Sequence, residues 1–307
     1  EIDPKFLHNC KAEDLIAYGF ESEFIGRIPV TVILQTLEVE DLYRILKNPN
    51  NPIILGKKED FRSYGIDIKF EDEALYLFAQ MANAEKTGAR GLVSVIEKAL
   101  LPFEKTLPST NVLYLVVTGD LVRNPQEELA RVLADPDAAE RRTAYEKILG
   151  EEKTLINDQI AQNKKYYIEN FPLVFNRDRV ELVVDRHLNS GEVIDDIFDE
   201  ILLLHNQIRE FEAGFYDRHG FQIHFDEEAI NEIIAKSLQN EITASSICKK
   251  VSRDYDYAFK LIADRSGQME FTLPRRAIAQ PDNYLEELIR KSCRYKPIPP
   301  QETNKSI

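Results

Sequence analysis

The most unusual short segment of this chain places an arginine between two glycines at the start of a predicted helix. It reads Thr87-Gly88-Ala89-Arg90-Gly91-Leu92, and the helix runs from about Gly88 to Leu101. If Thr87 or a neighbour caps this helix, Arg90 lies in the first turn, where the helix dipole favours anions over cations. Gly91 adds a glycine inside the helix, which costs about 1 kcal/mol relative to alanine. Two locally unfavourable residues side by side suggest a phosphate held by free helix amides and the guanidinium, with an Arg90–carboxylate pair as the simpler alternative.

A second candidate arginine ends the segment Glu23-Phe24-Ile25-Gly26-Arg27, directly before the apolar run from Ile28 to Leu34. That run is rich in β-branched residues and predicts a strand buried on both faces, preceded by a short helix over 11–22. Arg27 would then occupy the turn between helix and strand. Loops held by rigid elements often carry function, although a turn arginine is ordinarily a solvated charge.

The sequence lacks the motifs that would make it a catalyst by itself. Its only Gly-Lys pair, Gly56-Lys57, has Asn51 in place of the first glycine of a GxxxxGK[ST] loop and Lys58 in place of Ser or Thr. No apolar strand ends in Asp-Glu, and neither a GxSxG turn nor an HExxH motif occurs. The five histidines are not at metal-ligand spacing, so we predict no metal site.

The elements that must position these residues belong to an α+β, mainly helical protein. We predict helices at about 38–47, 53–64, 72–85 and 88–101, and strands at 66–70 and 112–117. Asn124-Pro125 would close this compact unit over 36–125. Beyond it we predict charged helices over 126–170, strand-prone stretches in 173–184, one long amphipathic helix over 191–218 and a disordered tail over 296–307.

The compact unit recurs later in the chain in diverged form. Tyr64 to Leu75 aligns with His219 to Ile230 at an offset of 155 positions (220 − 65 for the shared glycine). Further aligned pairs are Leu42 with Ile197, Phe61 with Tyr216, Leu92 with Ile247, Ile96 with Val251, Leu100 with Tyr255 and, one position out, Asn124-Pro125 with Gln280-Pro281. We therefore predict a second copy at about 191–281, the alternative being two unrelated units with a similar pattern. That copy has Ser245 or Ser246 where the first has Arg90, and so lacks the cation.

Composition narrows the class of protein. The net charge of −14 argues against general binding to nucleic acid, because the chain repels phosphate backbones. No apolar run is long enough to span a membrane, and residues 1–10 do not form a signal peptide. Three widely separated cysteines fit a reducing cytoplasm. Because the sequence does not start with Met, we expect it to be a piece of a longer chain.

Taken together, these segments resemble the C-terminal part of ClpX-type AAA+ ATPases, the ATP-binding subunits of Clp proteases. Residues 12–20 and 23–29 look like the end of the large AAA+ domain, 37–44 and 66–74 like the start of the small domain, and 86–92 like the sensor-2 motif. The likeness runs over about 11–125.

The resemblance implies a role for each candidate residue. Arg27 would be the arginine finger that reaches the nucleotide of the neighbouring subunit, and Arg90, with Gly88 and Ala89, would contact the nucleotide of its own subunit. The implied domains are the end of the AAA+ large domain (1–36), the small or lid domain with sensor 2 (37–125), a helical connector (126–190), a degenerate second lid-like domain (191–295) and a disordered tail (296–307).

The resemblance also implies the cofactors and partners of the full-length parent. These are ATP or ADP with Mg²⁺, a homo-oligomeric, hexameric ring, protein substrates and a ClpP-type protease or adaptor, with no nucleic acid and no membrane. This fragment should bind no cofactor and hydrolyse no ATP alone, because the Walker A and Walker B segments would precede Glu1. Family members end shortly after the strand that matches 112–117, so residues 126–307 leave the protease partner open. A non-catalytic scaffold or adaptor-binding module derived from an AAA+ lid is the alternative.

Overall fold

A computed structural model describes residues 9–28, 30, 32 and 36–292. The chain divides after Thr154 into two compact units. In the described part, no helix is both long and apolar enough to cross a bilayer.

Two short helices, α1 (Ala12–Tyr18) and α2 (Ser22–Arg27), lie near the start of the chain, and neither has a buried residue. Helix α2 replaces the turn in which we predicted Arg27 to lie. An ion pair between Glu23 and Arg27, four positions apart, favours this helical turn.

The strand predicted over 28–34 is wrong at the positions that the structure describes. Ile28, Val30 and Val32 lie outside any strand, and their side chains are 44%, 66% and 73% exposed. An apolar strand is stabilised by neighbouring strands and by burial, and the described residues provide neither here. Positions 29, 31, 33 and 34 of this prediction lie outside the described residues.

The rest of the first unit contains the first copy of the repeated unit, here residues 39–134. Its elements are α3 (Val39–Lys47), α4 (Pro52–Ser63), β1 (Asp67–Phe70), α5 (Asp72–Ala84), α6 (Ala89–Thr106), β2 (Tyr114–Val117), α7 (Gly119–Arg123) and α8 (Pro125–Ala134). Strands β1 and β2 pair in parallel, with Asp67 opposite Tyr114 and Phe70 opposite Val117. These elements confirm the helices and strands predicted over this stretch to within a few residues, apart from the longer α6 and the later start of β2.

The residues at its N-terminus explain why α4 begins at Pro52. The side chain of Asn51 accepts hydrogen bonds from the amides of Ile53 and Ile54, and its amide nitrogen donates to the carbonyl of Ile45 at 2.8 Å. Pro52 follows at the first helical position, which tolerates a missing N–H. The helices enclose one apolar core that includes Leu42, Phe61, Ile68, Phe78, Leu92, Ile96, Phe103 and Leu115.

Further helices and a second pair of strands continue the chain. The elements are α9 (Ala139–Gln162), α10 (Lys164–Asn170), α11 (Arg177–Ser190), α12 (Ile194–Ala213), α13 (Phe215–His219), β3 (Gln222–Phe225), α14 (Glu227–Asn240), α15 (Ala244–Ser266), β4 (Glu270–Leu273), α16 (Arg275–Ala279) and α17 (Pro281–Ser292). Strands β3 and β4 are parallel, as in the first copy.

Two expectations for this part of the chain are wrong. The segment 173–184, expected to be strand-prone, is largely helix α11, because the half-buried Val180 and the buried Val183 and Val184 share one helical face. The long helix predicted over 191–218 breaks at Gly214, which ends α12 and precedes α13.

The second copy, residues 194–292, follows the first in the order of its strands and helices, although α12 runs unbroken through the positions of both α3 and the first half of α4. Strands β1 and β3 begin 155 positions apart (222 − 67), as do α6 and α15 (244 − 89). The described non-glycine residues with positive φ occupy equivalent places before these two helices, Lys86 at 55° and Glu241 at 53°. Burial differs at one aligned pair, since Phe61 is buried whereas Tyr216 is 54% exposed and the adjacent Phe215 is buried.

Candidate functional site

The N-terminus of α6 is built on two glycines that serve different purposes. Gly88 is the N-cap residue and has φ 62° and ψ −146°, a backbone conformation that side-chain-bearing residues rarely adopt. No side chain caps the helix, so the expected cap by Thr87 is not formed. The amide of Gly91 donates to the carbonyl of Gly88 at 3.0 Å.

Gly91 has a packing reason that the sequence analysis missed. A Cβ added there would lie 2.6 Å from Oγ1 of Thr87 and 3.2 Å from the carbonyl oxygen of Ala82 in α5. The glycine therefore lets α6 approach α5 closely. Our inference that Gly91 points to an external ligand is corrected accordingly, and Arg90 alone remains as the locally unfavourable residue.

Arg90 lies in the first turn of α6 with an exposed side chain, next to the exposed Ala89. Among the described residues it forms no ion pair, so the carboxylate partner considered as the simpler alternative is not found there. Uncapped amides at a helix N-terminus together with a free guanidinium are a suitable arrangement for phosphate oxygens.

Arg27 lies in α2, a separate element from α6. It pairs with Glu23 at 2.6 Å, and the two side chains are 78% and 77% exposed. Exposed pairs of this kind contribute about 0–1 kcal/mol, so another anion can displace Glu23 at little cost. The structure places Arg27 and Arg90 in separate elements of the first unit.

The equivalent helix N-terminus in the second copy is closed by its own side chains. Oγ1 of Thr243 accepts a hydrogen bond from the amide of Ser246 at 3.3 Å, and the amide of Ser245 donates to Oε1 of Gln207 at 3.5 Å. Ser245 stands at the position of Arg90. This terminus therefore offers neither free amides of the same kind nor a cation.

Sequence reasoning missed a polar cluster that binds α9 to the first copy. The carboxylate of Glu152 accepts from Nζ of Lys58 at 2.7 Å and from Nζ of Lys69 at 3.0 Å. The Lys69 side chain is 1% exposed and those of Lys58 and Glu152 are 12% and 19% exposed. Two lysines from α4 and β1 thus share one carboxylate from α9.

The protonation equilibria in this cluster follow from that sharing. Burial alone favours the neutral acid, but the attraction of Lys58 and Lys69 outweighs it and lowers the pKa of Glu152. Burial lowers the pKa of Lys58, and Glu152 offsets this only in part because Lys69 repels the same ammonium. At neutral pH Glu152 is therefore ionised.

Helix α9 also covers the outer face of the β1–β2 sheet. The hydroxyl of Tyr145 donates to the carboxylate of Asp67, and the Tyr145 ring lies 4.8 Å from that of Tyr114. Tyr145 and Ile148 of α9 form a small apolar cluster with Val116 of β2. The alternation of Asp67 and Lys69 with apolar residues is typical of a strand with one face in solvent. The sequence of β1 therefore did not predict that α9 packs on this face.

Comparison with known proteins gives consistent matches to part of the chain. Residues 37–103 match the family of the C-terminal D2-small domain of ClpB protein. The chain is 33% identical over 153 residues to the mitochondrial ATP-dependent clpX-like chaperone of Saccharomyces cerevisiae, covering 50% of this chain and 28% of that protein. It is 39% identical over 123 residues to the ATP-dependent Clp protease ATP-binding subunit ClpX of Borrelia duttonii, covering 40% of this chain and 29% of that protein. An equal match occurs with the protein of the same description from Borrelia recurrentis. The chain thus spans less than a third of the length of these relatives.

Proposed function

We propose that this chain, which is similar over about half its length to the C-terminal portion of ClpX-type AAA+ proteins, contains the lid of an ATP-dependent protein unfoldase. The observation that carries the proposal is the uncapped N-terminus of α6 with the exposed Arg90, inside the segment that matches the D2-small family.

We propose that Arg90 contacts the phosphates of a nucleotide bound by the same subunit. The free amides of the first turn and the guanidinium would together neutralise phosphate charge, with Gly88 and Ala89 allowing close approach. ATP with Mg²⁺ would supply the free energy of the cycle.

For Arg27 we propose a role on the nucleotide of the neighbouring subunit in a ring, which we expect to be hexameric. Its weak, exposed pair with Glu23 supports this role, because the guanidinium can be redirected without unfolding α2. Arg27 would stabilise the charge that develops as the γ-phosphate leaves. The segment over about 34–39 would be the hinge through which the lid turns, pulling on a protein substrate.

We also propose a cytoplasmic location and a ClpP-type protease or adaptor as partner. The domain boundaries of the connector and of the second copy are proposals as well. The names of the yeast and Borrelia relatives describe a mitochondrial chaperone and a protease subunit. The closed N-terminus of α15 supports a second copy that does not sense nucleotide.

The test is ATP hydrolysis by the whole protein that contains this segment. We expect Arg90→Ala to lower kcat about a hundredfold and Arg27→Ala at least as much. Arg44→Ala, which removes another exposed arginine of the same lid, is the control and should retain activity. Mixed rings separate the two roles: Arg27→Ala subunits should silence their neighbours, whereas Arg90→Ala should also weaken nucleotide binding by its own subunit.

The competing function is a scaffold that joins a ring without turning over ATP. Its supporting observation is the second copy, which has kept the fold but closed the helix terminus with Thr243. An assembled wild-type ring without ATP hydrolysis would favour the scaffold over the unfoldase, and activity that survives Arg90→Ala would remove that residue from the site.

A further inference from the structure

Helix α15 of the second copy carries a basic stripe, defined here as Lys249, Lys250, Arg253 and Lys260 with Tyr257 among them. At about 100° per residue these five side chains project within roughly 60° of one line along the helix. The side chains are exposed, and Tyr257 is 72% exposed. The opposite face, including Cys248, Tyr255 and Phe259, is buried.

Most of the charge on this stripe is not neutralised within the chain. Lys260 pairs with Asp256 at 2.6 Å. Lys249, Lys250 and Arg253 have no carboxylate partner in the part of the chain that the structure describes, and Nε of Arg253 donates to the backbone carbonyl of Lys249 at 3.5 Å. The chain has 53 acidic and 39 basic residues, so three adjacent unpaired cations stand out against their surroundings.

The stripe is more basic than its counterpart in the first copy. That copy has Ser94, Val95, Lys98, Lys105 and Pro102 at the positions of Lys249, Lys250, Arg253, Lys260 and Tyr257. Val95 is 1% exposed and Lys98 pairs with Glu85 at 3.0 Å. The face that is partly buried and neutralised in the first copy thus carries three exposed cations without a carboxylate partner among the described residues of the second copy, beside the Lys260–Asp256 pair.

We propose that the basic stripe docks an acidic segment of another protein chain. Lysine and arginine would pair with its carboxylates, while Tyr257 would contribute a rigid aromatic contact surrounded by them. From Lys249 to Lys260 the stripe is about 16 Å long, which matches roughly five residues of extended chain. Nucleic acid fits less well, because a stripe one helix wide lies on a chain of net charge −14. The inference does not depend on nucleotide binding at Arg90.

The test is fluorescence anisotropy with this 307-residue chain and a short fluorescein-labelled peptide of alternating Glu and Leu. Matched probes are the same peptide with Gln in place of Glu and a labelled oligo-dT of equal length. At about 50 mM salt we expect the acidic peptide to bind and the Gln peptide not to bind. Lys249→Ala/Lys250→Ala/Arg253→Ala should weaken binding about tenfold, the sum expected for three exposed ion pairs. Tyr257→Ala should weaken it several-fold.

A second triple variant controls for the change in net charge. Lys147→Ala/Lys165→Ala/Arg177→Ala removes three exposed cations that each pair with a glutamate four residues away. It should bind the peptide as the wild type does. Equal weakening by both triple variants, no binding of the acidic peptide, or tighter binding of oligo-dT would each overturn the proposal.

Discussion

Glu152 offers a sharp test of how α9 is held on the first unit. Its carboxylate accepts from Lys58 at 2.7 Å and from Lys69 at 3.0 Å, and the Lys69 side chain is 1% exposed. Glu152→Gln keeps the shape but removes the charge, which leaves two buried ammonium groups without a counterion.

The expected cost follows from the burial of these groups. Removing one partner of a buried ion pair destabilises a protein by about 3–5 kcal/mol. The glutamine oxygen can still accept from one lysine, so we expect a loss of roughly 2–4 kcal/mol in the free energy of unfolding of the first unit. Replacing all three groups, as Lys58→Met/Lys69→Met/Glu152→Leu, should cost less than Glu152→Gln, because no unpaired charge remains buried.

The measurement has to separate the first unit from the second. The sequence contains no tryptophan whose fluorescence could report on one unit. Urea unfolding followed by circular dichroism reports on the whole chain. Hydrogen exchange of the amides of β1 and of α9 near Tyr145 gives the local free energy of opening. Glu151→Gln is the matched control, since the adjacent Glu151 pairs with Lys147 at the surface at 3.6 Å and should contribute about 0–1 kcal/mol. Equal effects of Glu152→Gln and Glu151→Gln on this exchange would refute the buried cluster.

Two further predictions address the helix approach at Gly91 and the buried His205. Gly91→Ala should destabilise the first unit by about 1–3 kcal/mol, because its Cβ would meet Thr87 and the Ala82 backbone. Gly56→Ala, with open space around it, is the control and should be neutral or stabilising in the same hydrogen-exchange assay. Burial lowers the pKa of His205, and the positive charges of Arg179 and Arg209 lower it further. The contribution of neutral His205 to the stability of the fold is therefore present above its unfolded pKa of about 6.5 and is lost as the pH falls through the folded pKa. Between pH 7 and 5 the second unit should therefore lose stability, as measured by thermal unfolding. His205→Gln should flatten this pH dependence, whereas the control His224→Gln, at an exposed position, should leave it unchanged. An unchanged pH dependence in His205→Gln would contradict the assignment.

Local patterns were sufficient to predict most of the first copy. The periodic apolar residues of α3, α5 and α6 and the strands β1 and β2 depend on contacts close in sequence or on simple alternation. The repeat was predictable for the same reason, since its signal is a fixed offset of apolar positions.

Features that depend on distant contacts were not predictable. Gly91 looked locally unfavourable because the approach of Ala82 is a tertiary contact. Lys69 stands at an alternating position that is typical of a surface residue. Its burial depends on Glu152, which is 83 positions away in the sequence. The apolar run from Ile28 was read as a strand, since nothing in its own sequence reveals whether a neighbouring strand is present.

Helix α9 packs on the sheet formed by β1 and β2, and this contact determines where the chain can be truncated to give a stable fragment. A fragment ending at Pro125, the boundary that sequence patterns suggest, would uncover Tyr114 and Val116 and leave Lys69 without its counterion. Such a surface favours self-association in solution. The shortest well-behaved fragment of the first unit should therefore extend beyond Glu152, and expression trials that stop earlier should give protein that aggregates.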